Sequence, residues 1–534
     1  VVKQSKGLKT ERLLKKLLPD IMLSIQFRKS MKWGSGEINF ARPIRWILAL
    51  YGGKTVSFEL DGLKSCNKSR GHRFMSPKPF KATGWGDYTE GLNTGYVVLD
   101  QDSRKSEIDR GVKELASKIG GSIEEEADLL ETVTNLVEYP VVLKGNFEEE
   151  FLDLPKEVLI SVMKSHQKYF HVVSRNDPSM LLPYFIFVCG TPVNDTEVVS
   201  RGNERVIRAR FSDARFFYDE DRRGSLEDKV KNLKGIVFLS DAGSYYDKTE
   251  RIKLIAGELA DSLGYSDHKA EIVRTAYLCK ADLATQMVFE FPELQGIMGR
   301  YYALSSGESE ETARAIEEHY MPVSRDGALP ESDMGAIVSI ADKLDSISAC
   351  FISGLIPTGT SDPYALRRQA IGIISIILDK EFTLPLGRII MRSLKTIIDQ
   401  DNGFTDAGLE TAGRIVEFMR ERFRNIMIEN GFKYDVVDAV IGAGFDDIFD
   451  CRRKIEALSE FSNAPDFEPL GIAFKRVVNI VKDQDRATVD ETLFRGSGER
   501  ELYESFTNTS RRVESERTGK NYPECLSIMK NLKE

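Results

Sequence analysis

The chain has 534 residues, and at roughly 150 residues per domain this predicts about three or four domains. Hydrophobic residues make up 41% and charged residues 29%, which excludes global disorder and allows several buried cores. The net charge of -9 argues against a polyanionic partner, but it averages an asymmetry: residues 1–81 hold 18 Lys and Arg against five acids, and the remainder holds 56 against 78. A basic end on an acidic body points to a polyanion or an acidic partner surface, with a solvated charged face as the plain alternative.

The first 30 residues read as a basic amphipathic helix on Leu13, Leu14, Leu17 and Leu18, ended by Pro19. From about 31 to 190 the period shortens. Strands are expected over Ile44–Tyr51, Thr55–Leu60, Tyr96–Leu99, Val141–Lys144, Phe170–Ser174 and Tyr184–Cys189, with Gly52-Gly53 as a hairpin turn. Helices are expected between them over Ser106–Ile119 and, opened by Pro155, Lys156–Tyr169. This is a mixed α+β region. After about 191 strands are no longer expected. Helical periodicity covers Asn203–Tyr218, Lys248–Leu263, Ala270–Phe289, Thr312–His319 and Ala336–Phe351. Ser353–Pro363 is rich in Gly and Pro and reads as a loop. The helices Ala365–Leu378 and Leu386–Gln400 follow, then a helical block from Thr405. Its clearest member, Glu410–Asn430, turns Ile415, Phe418, Met419, Phe423, Ile426 and Met427 inward. The expected domains are 1–30 (basic helix), 31–190 (mixed α+β), 191–240 (Arg-rich helical connector), 241–355 (helical), 356–403 (helical linker) and 404–534 (helical).

The longest apolar run, Ile371–Leu378, includes Gly372 and Ser375 and is far short of the ~20 residues of a membrane span. No secretory leader is evident, and the start at Val1 without Met reads as a trimmed chain. Six scattered cysteines without a CxxC pair argue against a zinc ribbon or a disulfide framework. They fit a reducing compartment, the cytoplasm or, in a plant, an organellar stroma.

Catalytic signatures are missing: there is no GxxxxGK, GxSxG, HExxH or GxGxxG after a strand. Five histidines without ligand spacing predict no metal site. His166 falls at helical spacing with Leu159, Val162, Met163 and Phe170, so it is expected in the core, with Lys164 and Lys168 on a different face. The densest basic cluster is Arg201–Arg223. There Arg201, Arg205, Arg208 and Arg215 share one helical face, opposite Ile207, Phe211, Ala214 and Tyr218. Guanidinium forks match phosphate oxygens two at a time. Intramolecular pairing with the neighbouring acids is the competing use. The turn Lys68–Phe74 gathers Arg70, His72 and Arg73 around Gly71, a set of donors suited to a backbone phosphate. In the C-terminal block the candidates are Arg420, Arg424, Arg452, Arg453 and Lys454. That block holds 20 bases against 25 acids, so any RNA face there is local.

Lys280-Ala281-Asp282 and Ala341-Asp342-Lys343-Leu344-Asp345 resemble parts of a metal-dependent HD phosphohydrolase. That site needs imidazoles and carboxylates converging on divalent metals. Ala281 stands where the doublet's histidine would be. Asp282 and Asp342 therefore read as remnants held in structural hydrogen bonds or salt bridges.

Seven strings in order resemble the β subunit of bacterial-type glycyl-tRNA synthetase. They are Arg42-Pro43-Ile44-Arg45-Trp46 through Gly52, Arg70-Gly71-His72-Arg73-Phe74, Ser165-His166-Gln167-Lys168-Tyr169-Phe170, Gly202-Asn203-Glu204-Arg205-Val206 with Ser212-Asp213-Ala214-Arg215-Phe216-Phe217, Met287-Val288-Phe289-Glu290-Phe291 with Gln295-Gly296-Ile297-Met298-Gly299, Ala341-Asp342-Lys343-Leu344-Asp345, and Asp362-Pro363-Tyr364-Ala365-Leu366-Arg367-Arg368. No single string is specific; the ordered series, from about residue 28 onward, is. The resemblance implies an aminoacyl-tRNA ligase subunit that binds and positions tRNA(Gly) for ATP-dependent glycylation. It implies a separate catalytic α subunit in an α2β2 tetramer, with ATP and Mg2+ on that subunit, no cofactor on this chain and no membrane. It also implies an editing-domain-like front region, an HD-like helical middle and a C-terminal domain of the anticodon-binding type. The family's portion before residue 28 is short or absent here, which bears on docking of the α partner. The competing readings are an HD-type phosphohydrolase, disfavoured by Ala281, and a non-enzymatic scaffold.

Overall fold

Alternating apolar side chains through Leu181–Cys189 build the largest sheet. Leu182, Tyr184, Ile186 and Val188 face one side, where the helices Gln101–Lys118 and Ala127–Leu136 bury Ile108, Val112, Leu129 and Val133 against them. Phe185 and Phe187 face the other side with Tyr169, whose ring stacks on Phe185 at 4.9 Å. The strand order is Gly121–Ser122, Phe170–Ser174, Leu181–Cys189, Val141–Asn146, all antiparallel. The long pairing runs from Tyr184 opposite Asn146 to Cys189 opposite Val141.

In this computed structural model residues 7–398, 406–465, 467–481 and 489–529 are described. The chain divides into two units, Val1–Phe216 and Phe217–Glu534. Both classes of structure read from the sequence are present, a mixed α/β part and an all-helical part, and no described helix is long and apolar enough to cross a membrane.

The front of the first unit is a small three-stranded sheet ordered Ile47–Leu48, Leu63–Cys66, Glu59–Leu60. Its core of Ile47, Val56, Phe58 and Leu60 is covered by Leu14, Leu18 and Met22 of the helix Thr10–Ser24. That helix runs through Pro19 instead of ending there. Proline forfeits one hydrogen bond, but Leu14, Leu18 and Met22 recur at a spacing of four and pack as one ridge across it. The hairpin Leu50–Tyr51 with Lys54–Thr55 turns on Gly52 and Gly53, at φ of 55° and 75°, left-handed values that L side chains resist. A second hairpin pairs Lys68–Arg70 with Pro79–Lys81. Tyr96–Leu99 is not a strand. Tyr96 sits at φ 59° and the Val97 amide bonds back to Leu92, so the segment closes the helix Trp85–Thr94.

The second unit is built around Asp333–Ile352, buried on every side from Gly335 to Phe351. A helix buried on all sides is apolar except where its polar groups find partners, as Asp342, Lys343 and Asp345 do here. Tyr245–Ser262, Leu366–Asp379, Leu386–Ile398 and Asp406–Glu429 share its core through Ile252, Ile255, Ile373, Ile374, Ile390, Ile415 and Phe423. The helices at 366–398, expected to link two helical blocks, are thus part of that core. Residues 399, 400 and 405 of the expected helices lie outside the described residues. Strands do recur after 191: Val237–Leu239 pairs with Gly243–Ser244 in a hairpin that leads into Tyr245. Its alternation is too short to stand out in the sequence. The expected helix Ala270–Phe289 is broken into Lys269–Leu278, a turn at Ala281–Ala284 and Gln286–Glu290. Thr285 caps the restart by accepting the Val288 amide.

Phe423 is fully buried beside Phe445, with ring centroids 5.4 Å apart. Phe423→Ala is expected to destabilise the helical unit by about 3–5 kcal/mol, read from the denaturant midpoint of helical signal. Exposed Arg414→Ala on the same helix should stay within about 0.5 kcal/mol.

Candidate nucleic-acid interface

The helix Thr196–Asp221 starts where the Asp195 carboxylate accepts the amides of Glu197 and Val198. One face is fixed in the core by Ile207, Phe211 and Ala214, with Phe211 edge-on to Phe147 at 5.0 Å. Ser200 donates to the Lys144 carbonyl, and Tyr169 donates to Asn203. Arg201, Arg205, Arg208 and Arg215 then span about 80° of the circumference, at 100° per residue, in a sector centred roughly 105° from the buried residues, with Arg215 next to Phe211. They divide into two kinds. Arg208 Nε meets Glu148 at 2.6 Å. Arg215 binds the Glu150 carboxylate at 3.3 Å and its carbonyl, with the guanidinium 4.8 Å from the Phe151 ring. Arg201 and Arg205 are exposed and unpaired among the described residues. Both uses expected for the cluster, internal pairing and an open stripe, therefore occur on one helix.

The turn at 68–74 is likewise divided. Arg70 donates to the Pro77 carbonyl at 2.7 Å. His72 is buried, and its Nδ1 accepts the amides of Phe74 and Met75 at 3.3 and 3.4 Å, so its ring holds the turn together. Arg73 is exposed and lies over Phe74, itself 75% exposed. The hairpin register sets Lys68 directly opposite Lys81, a repulsive cross-strand pair. Beside it, Trp46, Trp85 and Tyr88 line a cavity of about 640 Å³ with Gly52 and Gly53. Trp85 is 72% exposed. Sequence reasoning missed these tryptophans as site residues. The basic segment 1–81 holds Trp33 and Trp46, so composition pointed toward Trp46, while Trp85 lies just beyond it.

Lys168 adopts φ 60° and folds back to donate to Ser165 at 2.8 Å. His166 is exposed, not in the core. The turn Val162–Gln167 is a π-helix, whose wider spacing rotates His166 off the face of Val162 and Met163. In the C-terminal helices every candidate has an internal partner. Arg420 pairs with Glu417 and the Ile441 carbonyl, Arg424 with Asp438 and Arg452 with Glu456. Arg453 donates to the Lys520 carbonyl, and Lys454 pairs with Asp450. Exposed pairs of this kind are worth about 0–1 kcal/mol, so phosphates can compete for them.

Asp282 and Asp342 are held internally. Asp282 is fully buried and accepts the amides of Gly296 and Gly299 at 2.6 and 3.2 Å. Burial lifts its carboxyl to about 6, despite those bonds and nearby Lys280. Lys280 and Lys248 Nζ lie 2.8 and 2.9 Å from Asp342. Burial opposes ionisation of Asp342, but the two ammonium groups outweigh it and hold the carboxyl well below the usual range. Lys248 directs its N–H groups to the Asp342 carbonyl, Asp345 and Ser346, and Arg251 grips Asp345 at 2.6 Å. Ammonium groups thus stand beside the carboxylate where a metal site would place its cation. Among the described residues no group of His, Cys, Asp and Glu could hold a metal ion.

The family model described as glycyl-tRNA synthetase beta subunit matches residues 1–442. A protein of Trichlorobacter lovleyi named glycine–tRNA ligase beta subunit is 46% identical over 533 residues, covering 100% of this chain and 77% of its own length. Proteins of the same name from Syntrophus aciditrophicus and Geobacter sulfurreducens are each 45% identical, over 528 and 532 residues, covering 99% and 100% of this chain and 76% of their own length. The similarity therefore includes the residues ahead of the first quoted string.

Lys248→Met would leave Asp342 and Asp345 each short of a buried partner and is expected to destabilise by about 3–5 kcal/mol, read by urea unfolding. The raised pKa of Asp282 means that the folded state binds its proton more tightly than the unfolded state does. Its contribution favours folding at acid pH and is lost as pH rises from about 4 to 6. Asp282→Asn should remove that dependence, so its stability relative to the parent should rise between about pH 4 and 6 and level off above that, by at most roughly 3 kcal/mol in total. Parallel stability curves would refute the assignment.

Proposed function

Because the chain belongs to the glycyl-tRNA synthetase β-subunit family, we propose that it grips tRNA(Gly) and presents it to a separate catalytic α subunit in an α2β2 assembly. ATP, glycine and Mg2+ are assigned to that α subunit, and no cofactor to this chain. The observation that carries the reading is the unpaired Arg201 and Arg205 stripe on a helix whose other face is locked in the core. Two arginines one turn apart on a fixed helix can offer guanidinium forks to successive phosphates, and that attraction must exceed the rotamer freedom both free side chains lose on binding. The exposed tryptophans beside Lys68 and Lys81 suit the unstacked bases of a single strand, because sequence-tolerant RNA contacts combine aromatic platforms with cations. In this reading the front region, editing-domain-like in ancestry, lies near the acceptor end. The C-terminal helices, of the anticodon-binding type, hold the other arm through Arg420, Arg424, Arg452, Arg453 and Lys454.

The HD-like middle serves as scaffold here. Ala281 removes the doublet's imidazole, and Lys248 and Lys280 satisfy Asp342. Phosphohydrolase chemistry is therefore disfavoured.

Glycylation assays with the matching α subunit should show charging that depends on this chain. If the chain changes neither tRNA affinity nor charging, a protein-only scaffold is the correct reading. Arg201→Glu with Arg205→Glu should weaken tRNA binding and flatten its salt dependence by roughly 1.5–2 in log–log slope. An unchanged slope would take those arginines off the RNA. Trp85→Ala should weaken binding by about 1–3 kcal/mol with little change in slope.

A further inference from the structure

A cavity of about 430 Å³ opens beside the buried ion network of the helical unit. Its walls include Lys248, Lys280, Lys343 and Arg368 against two acids, Asp342 and Glu293. The three lysines are buried, at 2%, 3% and 6% exposure. The wall is thus rich in interior donors, of which Asp342 and Asp345 engage Lys248 and one N–H of Lys280. Burial, with Lys280 and Lys248 nearby, brings Lys343 down to about 7 although Asp342 opposes the change.

Donor counting separates the groups that hold the fold from those left over. Lys248 and Lys343 each direct their N–H bonds to three protein acceptors. Lys280 gives one to Asp342 and otherwise faces the Tyr320 ring at 3.9 Å. The buried Tyr320 hydroxyl has no partner. Arg368 uses a single N–H, toward the Val323 carbonyl. Lys280, Tyr320 and Arg368 therefore retain spare donors in the walls of one cavity, and Phe238, Tyr245 and Tyr364 add ring surface.

We propose that this cavity binds a small phosphate monoester carrying an apolar or aromatic group, with Lys280, Tyr320 and Arg368 on the phosphate. The volume lies in the range of small-molecule sites. Because the ammonium groups are interior, the ligand is a free small molecule and not the backbone of a bulky polynucleotide. The proposal does not depend on the tRNA reading.

The test is calorimetric titration of the full chain with phenyl phosphate and with inorganic phosphate, at constant ionic strength set by chloride. One saturable site is expected, with phenyl phosphate the tighter ligand. Arg368→Gln and Tyr320→Phe, which leave the ion network intact, should each weaken phenyl phosphate by about tenfold. Both variants should keep the parent's circular dichroism and melting temperature without ligand. Saturating tRNA should leave the phenyl phosphate affinity unchanged. No binding, equal binding in both folded variants, or displacement by tRNA with retention of the same contacts would each overturn the proposal.

Discussion

The buried contact of Asp342 and Asp345 with Lys248, Arg251 and Lys280 is the constraint on which the helical unit depends. It ties the central helix Asp333–Ile352 to Tyr245–Ser262 and to the break after Leu278. Each carboxylate meets two cations, so neither charge is left bare beside a core of aliphatic and aromatic side chains. The pattern explains why the chain cannot continue one helix through residues 279–285: Lys280 must reach inward to Asp342 while Asp282 turns to the amides of Gly296 and Gly299. Gly299 is required there, because a Cβ would lie 3.1 Å from the Asp282 carboxylate and closer still to Ile316. Charge pairing, helix breakage and glycine placement are three expressions of one requirement.

A different economy of charge governs the first unit. Its arginines sit on a helix anchored by aromatic packing, and those near the Glu148–Glu150 turn are consumed by it. Those farther toward the helix start, Arg201 and Arg205, form no ion pair among the described residues. The division follows from where the acidic turn falls along the helix, and it leaves a short cationic stripe on a chain whose overall charge is negative. Net charge thus says little about where positive potential lies, which local pairing sets.

Much of this was legible beforehand. Periodicity located the long helices and the sheet strands, and the left-handed Gly52-Gly53 turn could be read directly from its dipeptide. What was not legible depends on contacts distant in sequence. Strands of two residues, such as Gly121–Ser122, exist only because a partner lies alongside. Pro19 is tolerated because Leu14, Leu18 and Met22 on either side of it pack against the cluster of Ile47, Val56, Phe58 and Leu60. The loss of Arg208 to Glu148 joins residues 60 positions apart. His166 misled for a subtler reason, since a π-turn changes the very period on which its placement was argued. The tryptophan platform was invisible because composition records a residue and not its exposure.

The opposed lysines of the second hairpin, Lys68 and Lys81, bear on more than binding. Two ammonium groups held side by side make the free ribbon less stable than its backbone pairing alone would allow. An anion seated between them removes the repulsion as well as adding its own attraction, so occupancy and local order become linked equilibria. The ribbon is then a segment whose firmness reports whether it is occupied, and protection of its amides from solvent exchange would rise together with saturation of the site.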